Sequence, residues 1–156
     1  MPEEIIVGSD HAGFALKQKV KARLEKRGFA VVDIGIQAEE SVDYPRIAHE
    51  LAEAVARGRY ARGVILCGTG LGVSMAANRH PGVRAAVAFD GETARLSRAH
   101  NDANVLALGG RTLDHELALR ILDVWLDTPF EGGRHARRVA LIEPGATVPT
   151  ALSEVK

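Results

Sequence analysis

Short, unbroken apolar runs alternate with stretches of helical periodicity along most of the chain, and this alternation most constrains the fold. Ile5-Ile6-Val7 is an apolar run ending at Gly8. Leu16, Val20 and Leu24 then recur every fourth residue, the spacing of one helical face, while Lys17, Lys19, Lys21 and Lys26 lie off that stripe. Gly28 is a natural C-terminal stop. The pattern repeats: a strand from Phe29 to Ile34, a loop from Ile36 to Pro45, and a helical stripe of Ile47, Leu51 and Val55 closed by Gly58. Val64 to Cys67 is a third strand, Val73 to Asn78 a small-residue helix, and Val83 to Phe89 a fourth strand. Glu92 to His100 is helical and Val105 to Leu108 is a fifth strand. Leu117, Ile121 and Trp125 mark a helix that must stop before Pro129. Arg134 to Leu141 closes the series.

Strands that are apolar on both faces need cover on both faces, and β-α alternation supplies it with a parallel sheet. The expected fold is α/β, a three-layer α/β/α sandwich around a five-stranded, mostly parallel, Rossmann-like sheet. Residues 1–143 form one domain, and 144–156, with two prolines and little periodicity, form an extended C-terminal tail. A chain of 156 residues buries enough surface to fold without metal or disulfide.

Composition narrows the function. Lys+Arg and Asp+Glu are both 20, so the chain lacks the positive excess that general nucleic-acid or membrane-surface binding requires. A single cysteine, Cys67, excludes an intramolecular disulfide and fits a reducing compartment. No apolar run reaches the ~20 residues of a membrane span, and the acidic start is unlike a signal peptide. A cytoplasmic protein is expected.

Ligands of open α/β sheets bind beyond the carboxyl ends of the strands. Four segments qualify: Gly8 to His11, Cys67 to Gly72, Phe89-Asp90, and Gly109 to Arg111. In Cys67-Gly68-Thr69-Gly70-Leu71-Gly72, three alternating glycines let the backbone approach a ligand and aim several N–H groups at an anion. A tight turn beside a buried structural thiol is an equally simple reading. The loop lacks the Gly-Lys-Ser/Thr of a Walker motif, and Val73 breaks a dinucleotide fingerprint, although Asp90 lies where a ribose-binding acid would. Asp10-His11 can transfer protons or bind hydroxyls, or Asp10 can cap a helix. His100 and Asn101 precede the fifth strand, at the wrong end of the sheet unless a second subunit delivers them. Arg134 and Arg138, four apart on a helix, suit a phosphate or simply a solvated basic face. The spacing of the six histidines and one cysteine shows no metal site.

Taken in order, these segments resemble the type B ribose-5-phosphate isomerases, in the family that also holds the galactose-6-phosphate isomerase subunits. The matching stretches are Gly8-Ser9-Asp10-His11-Ala12-Gly13, Asp43-Tyr44-Pro45, Cys67 to Gly72, Leu96 to Leu106 and Glu131-Gly132-Gly133-Arg134-His135, and the resemblance covers about residues 4 to 142. It implies a pentose-phosphate aldose–ketose isomerase working through an enediol, without metal or cofactor. Cys67 would be the base, and the N–H groups of Gly68, Thr69, Gly70, Leu71 and Gly72 the anion hole. His100 would open the sugar ring, assisted by Thr69 or Asp10; Asp10 and Asn101 would bind hydroxyls. His11, Arg111, Arg134 and Arg138 would hold the phosphate. The first turn after the loop (Val73, Ser74, Met75) offers no acid, which points to the cysteine-dependent branch. The implied assembly is a homodimer, or a tetramer, with active sites shared between subunits. The remaining readings are an isomerase of another sugar (allose 6-phosphate, galactose 6-phosphate, a tetrose phosphate, a free aldose) or a non-catalytic sugar-phosphate or nucleotide-binding module.

Overall fold

The computed structural model describes residues 1–156. Five strands alternate with helices: β1 Glu4–Ser9, α1 Phe14–Lys26, β2 Ala30–Asp33, α2 Tyr44–Ala56, β3 Arg62–Cys67, α3 Leu71–Ala77, β4 Ala85–Val87, α4 Gly91–Ala99, β5 Val105–Gly109, α5 His115–Asp127 and α6 Arg134–Ala140. The sheet order is β2-β1-β3-β5-β4, and every pairing is parallel.

Side chains alternate across the sheet and divide the core in two. Ile5, Val7, Val64, Leu66, Leu106 and Leu108 pack against α1, α4 and α5, with Trp125 fully buried among them. Ile6, Ile65, Cys67, Val105 and Ala107 face α2 and α3. The three-layer sandwich follows from this two-sided burial.

Some boundaries move for local reasons. The fourth strand is only Ala85–Val87, shorter than the apolar run Val83 to Phe89. Side chains take over the flanking backbone groups: Arg84 N–H donates to Asn104 Oδ1 at 2.8 Å and Phe89 N–H to Thr93 Oγ1 at 3.1 Å. Asn78 also brackets this edge strand, its amide accepting from Ala85 N–H and donating to Ala85 C=O. Asp90 is a helix cap in a capping box with Thr93. The segment 144–156 carries one 3₁₀ turn, Thr150–Leu152.

Lys17 departs furthest from its place in the pattern. Off the apolar stripe, it reads as solvated, yet its side chain is 0% exposed. It donates to Asp33 Oδ1 at 2.9 Å, while Lys21 donates to Oδ2 at 2.8 Å and Gly35 N–H adds a third bond. Burial pushes the Asp33 carboxyl up, but these donors outweigh it and hold the group below its ordinary value. Burial holds the Lys17 ammonium below its own ordinary value, against the pull of Asp33.

Asp33→Asn should therefore strand a buried ammonium and lower stability by about 3–5 kcal/mol in urea denaturation. Adding Lys17→Met should restore most of the loss. The Asp33 contribution is present above its unfolded value near 3.8 and is lost as pH falls through the lower folded value. An Asp33→Asn variant as stable as the parent would show that Lys17 finds water instead.

Candidate active site

The strand order reverses between β1 and β3: the chain leaves β1 for β2 on one side, then crosses back to β3 on the other. Loops diverge above this point and leave a crevice at the carboxyl ends of the strands. Asp10–Gly13 follows β1, Cys67–Gly72 follows β3, and Gly109–Arg111 follows the neighbouring β5.

Backbone hydrogen bonds tie the three loops together. Gly110 N–H donates to Cys67 C=O at 2.8 Å, Arg111 N–H to Gly68 C=O at 3.0 Å, and Asp10 N–H to Leu66 C=O at 3.2 Å. Asp10 Oδ1 accepts from Gly13 N–H at 3.0 Å, so this buried carboxylate closes the 10–13 turn rather than capping α1, which begins at Phe14. His11 reaches sideways, and its Nδ1 accepts from Val42 N–H at 3.3 Å, drawing the 36–43 loop toward the crevice.

Cys67 is 5% exposed, on the side of the sheet facing α2 and α3. Its Sγ accepts from Gly70 N–H at 3.2 Å. Gly70 has φ +80°, where a side chain is strained, and a Cβ there would lie 3.1 Å from the Leu108 carbonyl carbon. A Cβ on Gly109 would lie 2.7 Å from the Thr69 backbone, so β5 and this loop touch main chain to main chain. Thr69 Oγ1 accepts from Leu71 N–H at 3.1 Å. The N–H groups of Gly68, Thr69 and Gly72 have no acceptor within the chain and remain available to an anion. Asp10, His11, Cys67, Gly68 to Gly72 and Arg111 thus converge at one pole. Tyr44 belongs with them: its ring lies where a Cβ on Gly72 would come within 2.6 Å. Periodicity does not single Tyr44 out; its signal in the sequence is the stretch Asp43-Tyr44-Pro45 that forms part of the family resemblance, which assigns Tyr44 no role.

His100, Asn101, Arg134 and Arg138 are at the opposite pole. His100 caps the C-terminus of α4 just before β5 begins, and a β strand of this length separates it from Cys67 by about 17 Å. Here the fold assembles a second cluster. The His100 and His135 rings stack in parallel, with centroids 4.0 Å apart. Glu131 Oε2 lies 3.8 Å from His100 Nε2 and 3.5 Å from His135 Nε2. Burial, followed by the charges of His100 and Arg134, holds the His135 imidazole below its ordinary value. A small cleft of about 220 Å³ is lined by His100, Asn101, His135 and Arg138. His135 and Glu131 were not legible as site residues, because their partner His100 comes from another element. The donor groups of this triad lie within 4.8 Å of one another, a proximity that the spacing of the histidines along the chain does not show.

A family model described as Ribose/Galactose Isomerase matches residues 5–142. Ribose-5-phosphate isomerase B of Escherichia coli (strain K12) is 48% identical over 140 residues, covering 90% of this chain and 94% of the relative. The ribose-5-phosphate isomerase B structure from Clostridium thermocellum superposes with a TM-score of 0.86 at 54% identity, covering 87% of this chain and 92% of that one. The Mycoplasma genitalium ribose-5-phosphate isomerase B with bound ribulose-5-phosphate superposes with a TM-score of 0.86 at 40% identity, covering 89% and 93% of the two chains.

Gly70→Ala should cost about 1–3 kcal/mol of stability, from the left-handed backbone and the Leu108 contact. Urea unfolding with the far-UV spectrum preserved would measure it. No loss would mean that the loop relaxes freely and does not hold Cys67 in place.

Proposed function

The chain belongs to the ribose/galactose isomerase family and is by that membership an aldose–ketose isomerase; we propose that its substrate pair is ribose 5-phosphate and ribulose 5-phosphate. The observation that carries the reading is the Cys67 thiol beside Gly70 N–H, next to backbone donors with no acceptor of their own. A relative of the same fold holds the ketose phosphate, which supports the pentose.

In this mechanism His100 protonates the ring oxygen and opens the furanose, with Thr69 or Asp10 assisting. The Cys67 thiolate takes the C2 proton, and the C2–H electron pair forms the C1=C2 bond as the C1 carbonyl becomes an enediolate oxygen. The open donors of Gly68, Thr69 and Gly72 stabilise that oxygen, an electrostatic contribution typically of several kcal/mol, while Gly70 N–H holds the thiol and Leu71 N–H holds Thr69. The thiol returns its proton to C1 while O2 becomes the carbonyl and its hydroxyl proton passes to O1. Asp10 and Asn101 hold hydroxyls; His11, Arg111, Arg134 and Arg138 hold the phosphate.

These roles span both poles of one subunit, a distance no pentose phosphate bridges. The reading therefore requires a homodimer in which the His100 pole of one subunit faces the Cys67 pole of its partner. The exposed apolar side chains Leu71, Met75 and Phe89 near the carboxyl pole suit such a contact. The isomerase domain corresponds to residues 1–143, with 144–156 as an appended tail.

Cys67→Ala should lose about 10²–10⁴-fold in kcat, as for a general base, and His100→Asn should lose ring opening. Co-refolding the two inactive variants tests the shared site directly. Half the dimers formed at random are hybrids, and each hybrid holds one intact site of two, so about a quarter of wild-type activity should return. A mixture no more active than its parents would overturn the shared site, and near-normal turnover by Cys67→Ala would overturn the base.

The phosphate clamp predicts a second pattern. A charge-assisted hydrogen bond contributes about 1.5–3 kcal/mol. Arg134→Ala or Arg138→Ala should therefore reduce kcat/KM for ribose 5-phosphate by about 10–150-fold and barely change the poor activity on free ribose. Arg137, about 100° around the helix from Arg138, should matter much less. Allose 6-phosphate in the same series separates a pentose from a hexose pocket. Equal losses on phosphorylated and free sugar would mean that the arginines hold structure, not substrate.

A further inference from the structure

From the stack of His100 on His135 and the carboxylate at its edge, we infer that His135 and Glu131 are positioning residues for His100. His135 is the flat, uncharged platform that fixes the plane of the ring, and Glu131 is its counter-charge. Their role rests on His100 opening the sugar ring. The two imidazoles lie 10° from parallel with centroids 4.0 Å apart, so they meet face to face. The His100 side chain is still 37% exposed, which leaves the rest of its ring open to a ligand. A histidine so exposed at a helix end samples several rotamers unless something holds it, and a proton donor held off its line of transfer loses rate.

The platform is built into the fold. His135 is nine-tenths buried, near the start of α6. Its N–H donates to Gly132 C=O at 3.0 Å, and Glu131 N–H donates to Ala99 C=O at 3.0 Å, which ties the 131–135 turn to the end of α4 beside His100. Two imidazolium rings repel face to face, so one ring of the stack must stay neutral. Burial, then the charges of His100 and Arg134, hold the His135 imidazole below its ordinary value; Arg138 acts the same way and Glu131 opposes them. The proton therefore belongs to His100, the more exposed ring. Glu131 Oε2 lies 3.8 Å from His100 Nε2 and 3.5 Å from His135 Nε2, too long for direct hydrogen bonds but close enough to offset the two arginines. Glu92 of α4 also lies within electrostatic reach of His100, but it is paired with Arg95 at 2.8 Å.

The test combines kinetics on ribose 5-phosphate, a double-mutant cycle with His100→Asn, and proton NMR of the imidazoles. In the parent protein, the ring protons of His100, assigned by their absence in His100→Asn, should be shifted upfield by the ring current of His135. His135→Ala should lower kcat by about 10–100-fold with KM nearly unchanged. The same change in a His100→Asn background should cost almost nothing more, because His135 acts through His100. Glu131→Gln preserves shape, so it reports even if His135→Ala fails to fold. It should move the alkaline limb of the kcat/KM profile to lower pH, since the protonated ring loses its nearest carboxylate. Unshifted His100 protons in the parent, losses that multiply in the double variant, an unmoved limb in Glu131→Gln, or a raised KM with kcat preserved would each overturn the positioning role. The last of these would mean that His135 only supports the arginines of α6. Normal turnover by His100→Asn would overturn the ring-opening role itself, and the positioning role with it.

Discussion

Main chain meets main chain where β1, β3 and β5 end, and the rest of the carboxyl pole depends on that contact. Parallel pairing puts Ser9, Cys67 and Gly109 at one edge of the sheet. The loops beyond can interlock only where no side chain intervenes. Gly109 against Thr69 and Gly70 against Leu108 are such places, and the bonds from Gly110 to Cys67 and from Arg111 to Gly68 close the lattice. A thiol at the end of β3 is thereby held against an amide donor, with further amides left open around it. Backbone dipoles fixed in this way need little reorganisation when charge develops nearby.

Charge is handled differently at the two poles. The chain is neutral overall, yet its amino pole gathers two stacked imidazoles and Arg138 along a small cleft, with the Glu131 carboxylate beside the imidazoles. The carboxyl pole relies on uncharged amide donors with Asp10, His11 and Arg111 around them. Neither pole of one subunit holds every group named in the proposed mechanism, which therefore calls for a second subunit. At the carboxyl end of the edge strand β2, Lys17 and Asp33 show how ionic groups enter the core: each is paired, and Asp33 takes three donors before it is buried.

The fold was largely legible because its signals are local. Apolar runs and four-residue stripes mark the strands and helices of the sandwich, and the glycine loop after Cys67 marks the crevice. The boundary errors are equally local in origin. β4 is shorter than its apolar run because the side chains of Asn104 and Thr93 claim the flanking amides. Lys17 reads as solvent-facing because periodicity records hydrophobicity and cannot see the carboxylate on β2 that pairs with it.

The sequence by itself determined the alternation of elements, the family resemblance, and the residues able to carry acid–base and phosphate chemistry. These depend on residue type and short spacing, which the chain displays directly. Tertiary structure alone decided which of those residues meet. It placed Cys67 with Asp10, His11 and Arg111, and it set His100 against Glu131 and His135 at the far end of the sheet. Each meeting joins segments remote along the chain. Such contacts are set by strand order and by helix docking through buried area, and neither leaves a periodic trace in the residues that meet.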